Sequence, residues 1–181
     1  MVSADDNGHG SRRRLAPAAG HDDELAPYRL PDGRPLELFA VLAHSTAAFG
    51  DLRSATARVL QATVLTARQR ELLILRVLHR VGADAEIAVH LALFGAEAGF
   101  DRPASAALAA DALDLDPLEL DLVALADALT SGGDVDDALW SRLLFELGAD
   151  GLVDALFVAT QYIKVALLVR ALRITNPEEP A

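Results

Sequence analysis

Residues 66–90, TARQRELLILRVLHRVGADAEIAVH, read as two helices joined by a tight turn at Gly82. Thr66 is suited to cap the first helix, and Gln69 three residues on completes a capping box. The run ELLILRVL is made of good helix formers and is apolar nearly all round, the pattern of a helix that is mostly buried. Gly82 suits a left-handed C-cap and Asp84 a new N-cap. The second helix is expected over 84–98, with a stop near Gly99.

Three side chains in this stretch have the chemistry for a joint site. Glu86 and His90 are four apart and share one face of the second helix. Glu71 projects with the apolar face of the first helix, beside Ile74, Leu75 and Leu78. Gln69, Arg76 and Arg80 map to another side and read as its wet edge. A short turn makes the helices neighbours, which would bring Glu71 towards Glu86 and His90. A carboxylate in apolar surroundings has a raised pKa, and a histidine beside a carboxylate can move a proton near neutral pH. Structural readings stand beside this one. Glu71 can pair with Arg68, Glu86 suits the dipole of a first helical turn, and His90 can be a satisfied core histidine.

Working outward, the chain has 181 residues, enough for one domain with a sizeable core. Hydrophobic residues make up 52%, dominated by Ala and Leu, which suits a helical bundle. The formal net charge of −11 argues against nucleic acid or an anionic membrane surface as partner. With no cysteine there is no disulfide, thiolate metal site or thiol switch. The first residues lack the apolar run of a secretory signal. The apolar stretch VALLVRAL is broken by Arg170 and reads as too short to span a bilayer. A cytoplasmic location is expected.

Residues 1–25, which include the basic run Arg12, Arg13 and Arg14, read as a disordered tail. APYRLPDGRP follows as an extended lead-in with a turn at Asp32-Gly33. Amphipathic helices are expected at 36–44 and 46–62, with His44 near their junction in a surface or capping role. His79 lies about two turns beyond Glu71. Further helices are expected at 103–112, from Pro117 to SGG at 131–133, from Asp134 or Asp136 to Gly148, and from Leu152 to Arg173. The acids Asp114, Asp116, Glu119, Asp121 and Asp127 alternate with leucines and read as a solvated helix face. Trp140 suits a core or interface position. Gln161, Tyr162 and Lys164 interrupt the apolar last helix and read as facing a subunit partner or the cavity, with the interface preferred. Residues 176–181 read as a C-terminal tail. No phosphate loop, HExxH or serine nucleophile elbow is present. Two carboxylates and one histidine are a thin ligand set, so no metal is expected.

The run RELLILRVLHRVGADAEIAVHLALFGAEAGF resembles the carboxymuconolactone decarboxylase-like superfamily, which includes alkylhydroperoxidase D. Relatives show an R-E-L-x-I-L-R helix, a turn, and a second helix with Glu or Cys four residues before a His. Glu71, Glu86 and His90 fall on those positions. The segments LELFAVLAHS and ALW…LVDALFVATQYIKVALLVRAL are also similar, so the resemblance spans about residues 35–173. The peroxidase branch carries a Cys-x-x-Cys pair where this chain has Ala83 and Glu86. Thiol peroxide reduction needs a thiolate, so that activity is not expected. Aromatic residues common beside this Glu in relatives are replaced by Ala85 and Ile87, which implies an altered pocket.

The resemblance implies an all-α fold over residues 26–175, an orthogonal bundle of about eight helices that self-associates as a trimer or hexamer. It also implies cofactor-independent acid–base chemistry, namely decarboxylation, isomerisation or lactone chemistry, on a small organic acid or carbonyl compound. In that scheme His90 shuttles the proton, oriented by Glu86, with Glu71 as the second carboxylate. The alternative is a non-catalytic binding or scaffold protein that retains the fold.

Overall fold

The computed structural model describes residues 13–61 and 63–175. It is all-α. Nine helices and one isolated bridge, Arg29 to Pro35, are found among the described residues. The first three helices are α1 (Asp22–Leu25), α2 (Glu37–Leu42) and α3 (Thr46–Gln61). The central pair is α4 (Ala67–Val81) and α5 (Asp84–Leu93). Then come α6 (Gly95–Ala98), α7 (Arg102–Ala109), α8 (Pro117–Thr130) and α9 (Asp137–Leu172).

α4 is the helix the others are built on. It packs against α8 and α9 along its length and against α5, α6 and α7 on its flanks. Its start is set by the capping box expected from the sequence: Thr66 Oγ1 accepts from the Gln69 amide, and Gln69 Oε1 accepts from the Thr66 amide. Its end is set by Gly82 at φ 75°, with the Gly82 and Ala83 amides both donating to the Leu78 carbonyl. Glycine adopts that left-handed conformation without the Cβ penalty. Between the caps, Leu72, Leu73, Ile74, Leu75, Val77 and Leu78 are all buried. Each contributes about 2 kcal/mol by leaving water.

Two boundaries depart from the sequence reading for visible reasons. The helix expected over 84–98 breaks at Phe94 into α5 and α6. Gly95 is needed there, because a Cβ would stand 2.5 Å from the Phe100 carbonyl oxygen. The two terminal helices join into α9, but Gly148 keeps non-helical torsions (φ 68°, ψ 178°), so the expected stop survives as a kink. By length and composition α9 also reaches what a membrane span requires, with mean hydropathy 1.8 over an 18-residue window, against the sequence reading. Half of that window is buried inside the protein, as in a core helix.

Residues 13–25 correct the expectation of a tail over 1–25. The Arg14 amide donates to Leu172 O, the Ala18 amide to Ala40 O, and Leu25 is buried in the core. Backbone pairing and one apolar anchor supply the ordering that composition alone did not show. Residues 1–12, with Arg12, and residues 176–181 lie outside the described residues.

The acids of α8 also differ from the expected solvated face. Glu119 is buried against Arg68, and Asp127 binds Arg76 through two bonds of 2.7 and 2.6 Å. Arg76, read as part of a wet edge, is only 3% exposed and also donates to Leu108 O. Both pairs are 51 residues apart, so α4 and α8 run side by side in one register, and that register decides which polar groups are buried.

Candidate functional site

The turn at Gly82 folds α5 back along α4, and this places Glu71 beside His90. Both are almost fully buried, at 1% and 2% exposure. His90 Nδ1 lies 2.7 Å from Glu71 Oε2. Arg70 Nε donates to the other carboxylate oxygen at 3.3 Å. An anionic Glu71 can only accept, so the ring hydrogen of a neutral His90 belongs on Nδ1 and the Nε2 lone pair faces away.

On that far side Nε2 lies 3.9 Å from Glu86 Oε1. The distance is too long for a hydrogen bond. Glu86 is therefore near His90 but does not hold it, and the residue that orients the ring is Glu71, the reverse of the assignment drawn from the sequence. Burial raises the Glu86 pKa above its ordinary value, against a smaller opposing pull from His90. The two carboxylates flank opposite ring nitrogens and so do not converge on one point. Among the described residues no group of three or more His, Cys, Asp or Glu side chains is disposed to hold a metal.

Two aromatic side chains complete the surroundings of the ring. Tyr162 meets His90 edge to face with centroids 4.9 Å apart, and Phe94 lies at 5.3 Å. Burial, with the nearby Glu86 and Glu71 charges, raises the Tyr162 pKa well above its ordinary value, so the phenol stays protonated. Sequence reasoning missed Phe94 and named Tyr162 only as a polar interruption of the last helix. Phe94 could have been found, since it sits four residues after His90 on the same helix face.

Glu86, His90, Phe94 and Tyr162 all line a cavity of about 300 Å³. Its outer wall is the lead-in segment that carries Tyr28, whose ring stacks on Phe39 at 4.2 Å. Hydrogen bonds from Leu30 N to Arg34 O and from Leu36 N to Tyr28 O hold that segment in a closed loop. Gln161 lines the same cavity. Gln161 and Tyr162 thus sit on the cavity face of α9, the less preferred of the two placements read from the sequence. Lys164 alone of the three points outward, to Asp51 at 2.8 Å. The Gln161 amide nitrogen is buried with no hydrogen-bond partner among the described residues. An unmet buried donor costs about 1–3 kcal/mol.

Other candidates fall outside this cavity. His79 bonds Ser105 Oγ at 2.8 Å, and its pKa is lowered by burial first, so it is a neutral packing group. His44 bonds the Ala16 carbonyl and ties the N-terminal segment to α2. A wider, more open groove of about 980 Å³ is lined by Asp84, Arg102 and Arg170, but neither Glu86 nor His90 reaches it.

Compared with known proteins, the chain matches no family model, and no curated protein matches its sequence.

Proposed function

We propose that this chain is a cofactor-independent enzyme that uses general acid–base catalysis on a small organic acid or carbonyl compound, with the fold of the carboxymuconolactone decarboxylase-like group. The observation that carries this reading is the 3.9 Å gap between His90 Nε2 and Glu86 Oε1, with Nδ1 already committed to Glu71. Here one nitrogen is fixed, and the other lies beside the Glu86 carboxyl group on the wall of one cavity, where a substrate can reach both.

In this scheme His90 Nε2 takes a proton from a carbon next to a carbonyl, and the C–H electrons shift towards the carbonyl oxygen. Glu71 stabilises the imidazolium that results, and Arg70 in turn steadies Glu71. Glu86, biased towards its protonated form by burial, gives its proton to the developing oxyanion and recovers it when the intermediate collapses. A shift of a double bond and the β-elimination that opens a lactone start with this proton transfer; in decarboxylation the C–C electrons move to the carbonyl oxygen as carbon dioxide leaves, Glu86 protonates that oxygen, and a protonated His90 then delivers its proton to the carbon.

The proposal extends to a homo-oligomer, trimer or hexamer, in the cytoplasm. Its support is an apolar stretch on α9 where Trp140, Leu144, Val153 and Phe157 are exposed and Phe145 is 85% exposed. Such a surface suits contact with another chain.

The test is proton exchange at carbon. A panel of small ketones, lactones and carboxylic acids is incubated with the protein in D2O, and loss of α-hydrogen signal is followed by NMR. At least one compound should exchange faster than in buffer, and His90→Gln should slow it by about 100-fold or more with the fold retained. A panel with no exchange above buffer, or exchange indifferent to His90→Gln, would overturn the reading and leave a binding or scaffold protein.

A further inference from the structure

Tyr162 brings to the cavity a hydroxyl that takes no part in the proton transfer between His90 and Glu86. Among the described residues that hydroxyl makes no hydrogen bond, and neither does His90 Nε2 or the Glu86 carboxyl group. The Gln161 amide nitrogen is unbonded and sealed, whereas these three groups are unbonded and keep accessible surface. Tyr162 and His90 are only 6% and 2% exposed, and both line the cavity with Glu86. The little surface that their polar atoms keep is therefore cavity surface.

The Tyr162 ring stands edge to face on His90 with centroids 4.9 Å apart. Of the carboxylates that bear on the phenol, Glu86 acts ahead of Glu71, so the hydroxyl belongs to the Glu86 end of the cavity. Burial is the first cause that keeps the phenol protonated, and it biases Glu86 the same way. A protonated phenol and a protonated carboxyl group are both neutral donors. Fixed donors of this kind, in a cavity closed to bulk water, hold an oxygen more strongly as it gains negative charge. Much of the remaining wall is hydrocarbon, from Leu38, Leu52, Leu60, Leu93 and Val165. A volume of about 300 Å³ is at the small end for a ligand cavity and suits a compound of a single ring.

We propose that the Tyr162 hydroxyl is a second hydrogen-bond donor, beside Glu86, to the substrate oxygen that gains negative charge, so that the cavity binds a small delocalised oxyanion of the enolate or phenolate class. Its part in a reaction rests on the acid–base reading above. The binding of such an anion needs no turnover and is measured separately. Tyr162 is then a catalytic residue that Glu86 and His90 alone do not replace, since neither supplies the second donor.

The probe is para-nitrophenol, whose ionised form is a single ring with a delocalised oxyanion and is yellow. At a pH where the free compound is mostly un-ionised, binding to the wild-type protein should bring out the colour. The O–H bond breaks, its electron pair stays on the phenol oxygen, and the proton passes to His90 Nε2. Tyr162→Phe should weaken binding by about tenfold or more and leave less of the bound compound ionised. Nitrobenzene, which has no hydroxyl, should bind both proteins alike. The Tm of Tyr162→Phe should hold, because the hydroxyl has no bond in the fold to lose. The proposal is overturned if para-nitrophenol fails to bind up to its solubility or stays colourless when bound. It is also overturned if Tyr162→Phe binds para-nitrophenol as tightly as the wild type, or weakens nitrobenzene by the same factor. A fall of many degrees in the Tm of Tyr162→Phe would overturn it too, by showing that the hydroxyl holds a structural bond. The two claims separate cleanly. Colour that survives His90→Gln but is lost with Tyr162→Phe sinks the acid–base reading alone. α-Exchange that is lost with His90→Gln, while both exchange and para-nitrophenol binding are indifferent to Tyr162→Phe, sinks this inference alone.

Discussion

α4 carries two buried polar constellations, and they are built differently. Towards α8, Arg76 is saturated: its guanidinium binds both oxygens of Asp127 and the Leu108 carbonyl, with Asp111 at 2.8 Å outside. Towards α5, the Glu71–His90 pair is satisfied on one side only. Nε2 faces Glu86 beyond bonding distance, and Gln161 on the same cavity has an unmet amide. Both constellations start from a buried side chain of one helix, Arg76 or Glu71, but Asp127 is about a third exposed whereas His90 is almost fully buried. A saturated network specifies a fold, whereas one left open towards a cavity has a place for a ligand.

The comparison breaks most sharply at Asp127. Asp127→Ala leaves Arg76 buried without its main partner, and thermal unfolding should show a loss of about 3 kcal/mol, or roughly 6–12 °C in Tm. The α-exchange rate per folded molecule should not change. If exchange fell with stability, the two constellations would be one network.

Glu71→Gln is the reciprocal change. It keeps the shape but no longer fixes the His90 tautomer, so exchange should fall by about 10- to 100-fold while stability drops by only about 1–2 kcal/mol. A stability loss as large as that of Asp127→Ala, with exchange intact, would make Glu71 a structural group.

The smallest effect is a pH dependence. The folded-state pKa of Glu86 lies above its ordinary 4.5, so the folded protein binds this proton more tightly than the unfolded chain. Stability from this group is therefore full below 4.5 and is lost as pH rises through the raised value. Glu86→Gln removes that loss. Denaturant titrations from about pH 4 to about pH 8 should show the variant gaining on the wild type as pH rises. A constant difference would mean that the Glu86 carboxyl is ordinarily solvated.

Much of this was legible in the sequence, and the parts that were not have physical reasons. α4 and its two caps were readable because every signal is local: Thr66 with Gln69, then Gly82. Glu71, Glu86 and His90 were identified by residue type and spacing, and the tight turn implied that they meet. Which carboxylate binds the ring was not legible, since rotamers decide it: Glu86 is one turn from His90, yet the distant Glu71 makes the bond. The burial of Arg76 and Glu119 was hidden because it arises from the register of α4 against α8, a contact across 51 residues. Gln161 and Tyr162 were visible as polar interruptions of an apolar helix. Their direction was not, because α9 has neighbours on more than one side.

The most direct test of the central claim is the tautomer of His90. Long-range nitrogen–hydrogen correlation NMR on imidazole-labelled protein reports which ring nitrogen carries the hydrogen in the neutral form. The account predicts a hydrogen on Nδ1, held by Glu71, and a bare Nε2 open to the cavity. A neutral ring with its hydrogen on Nε2 would contradict it, because the nitrogen facing the cavity would then be no base.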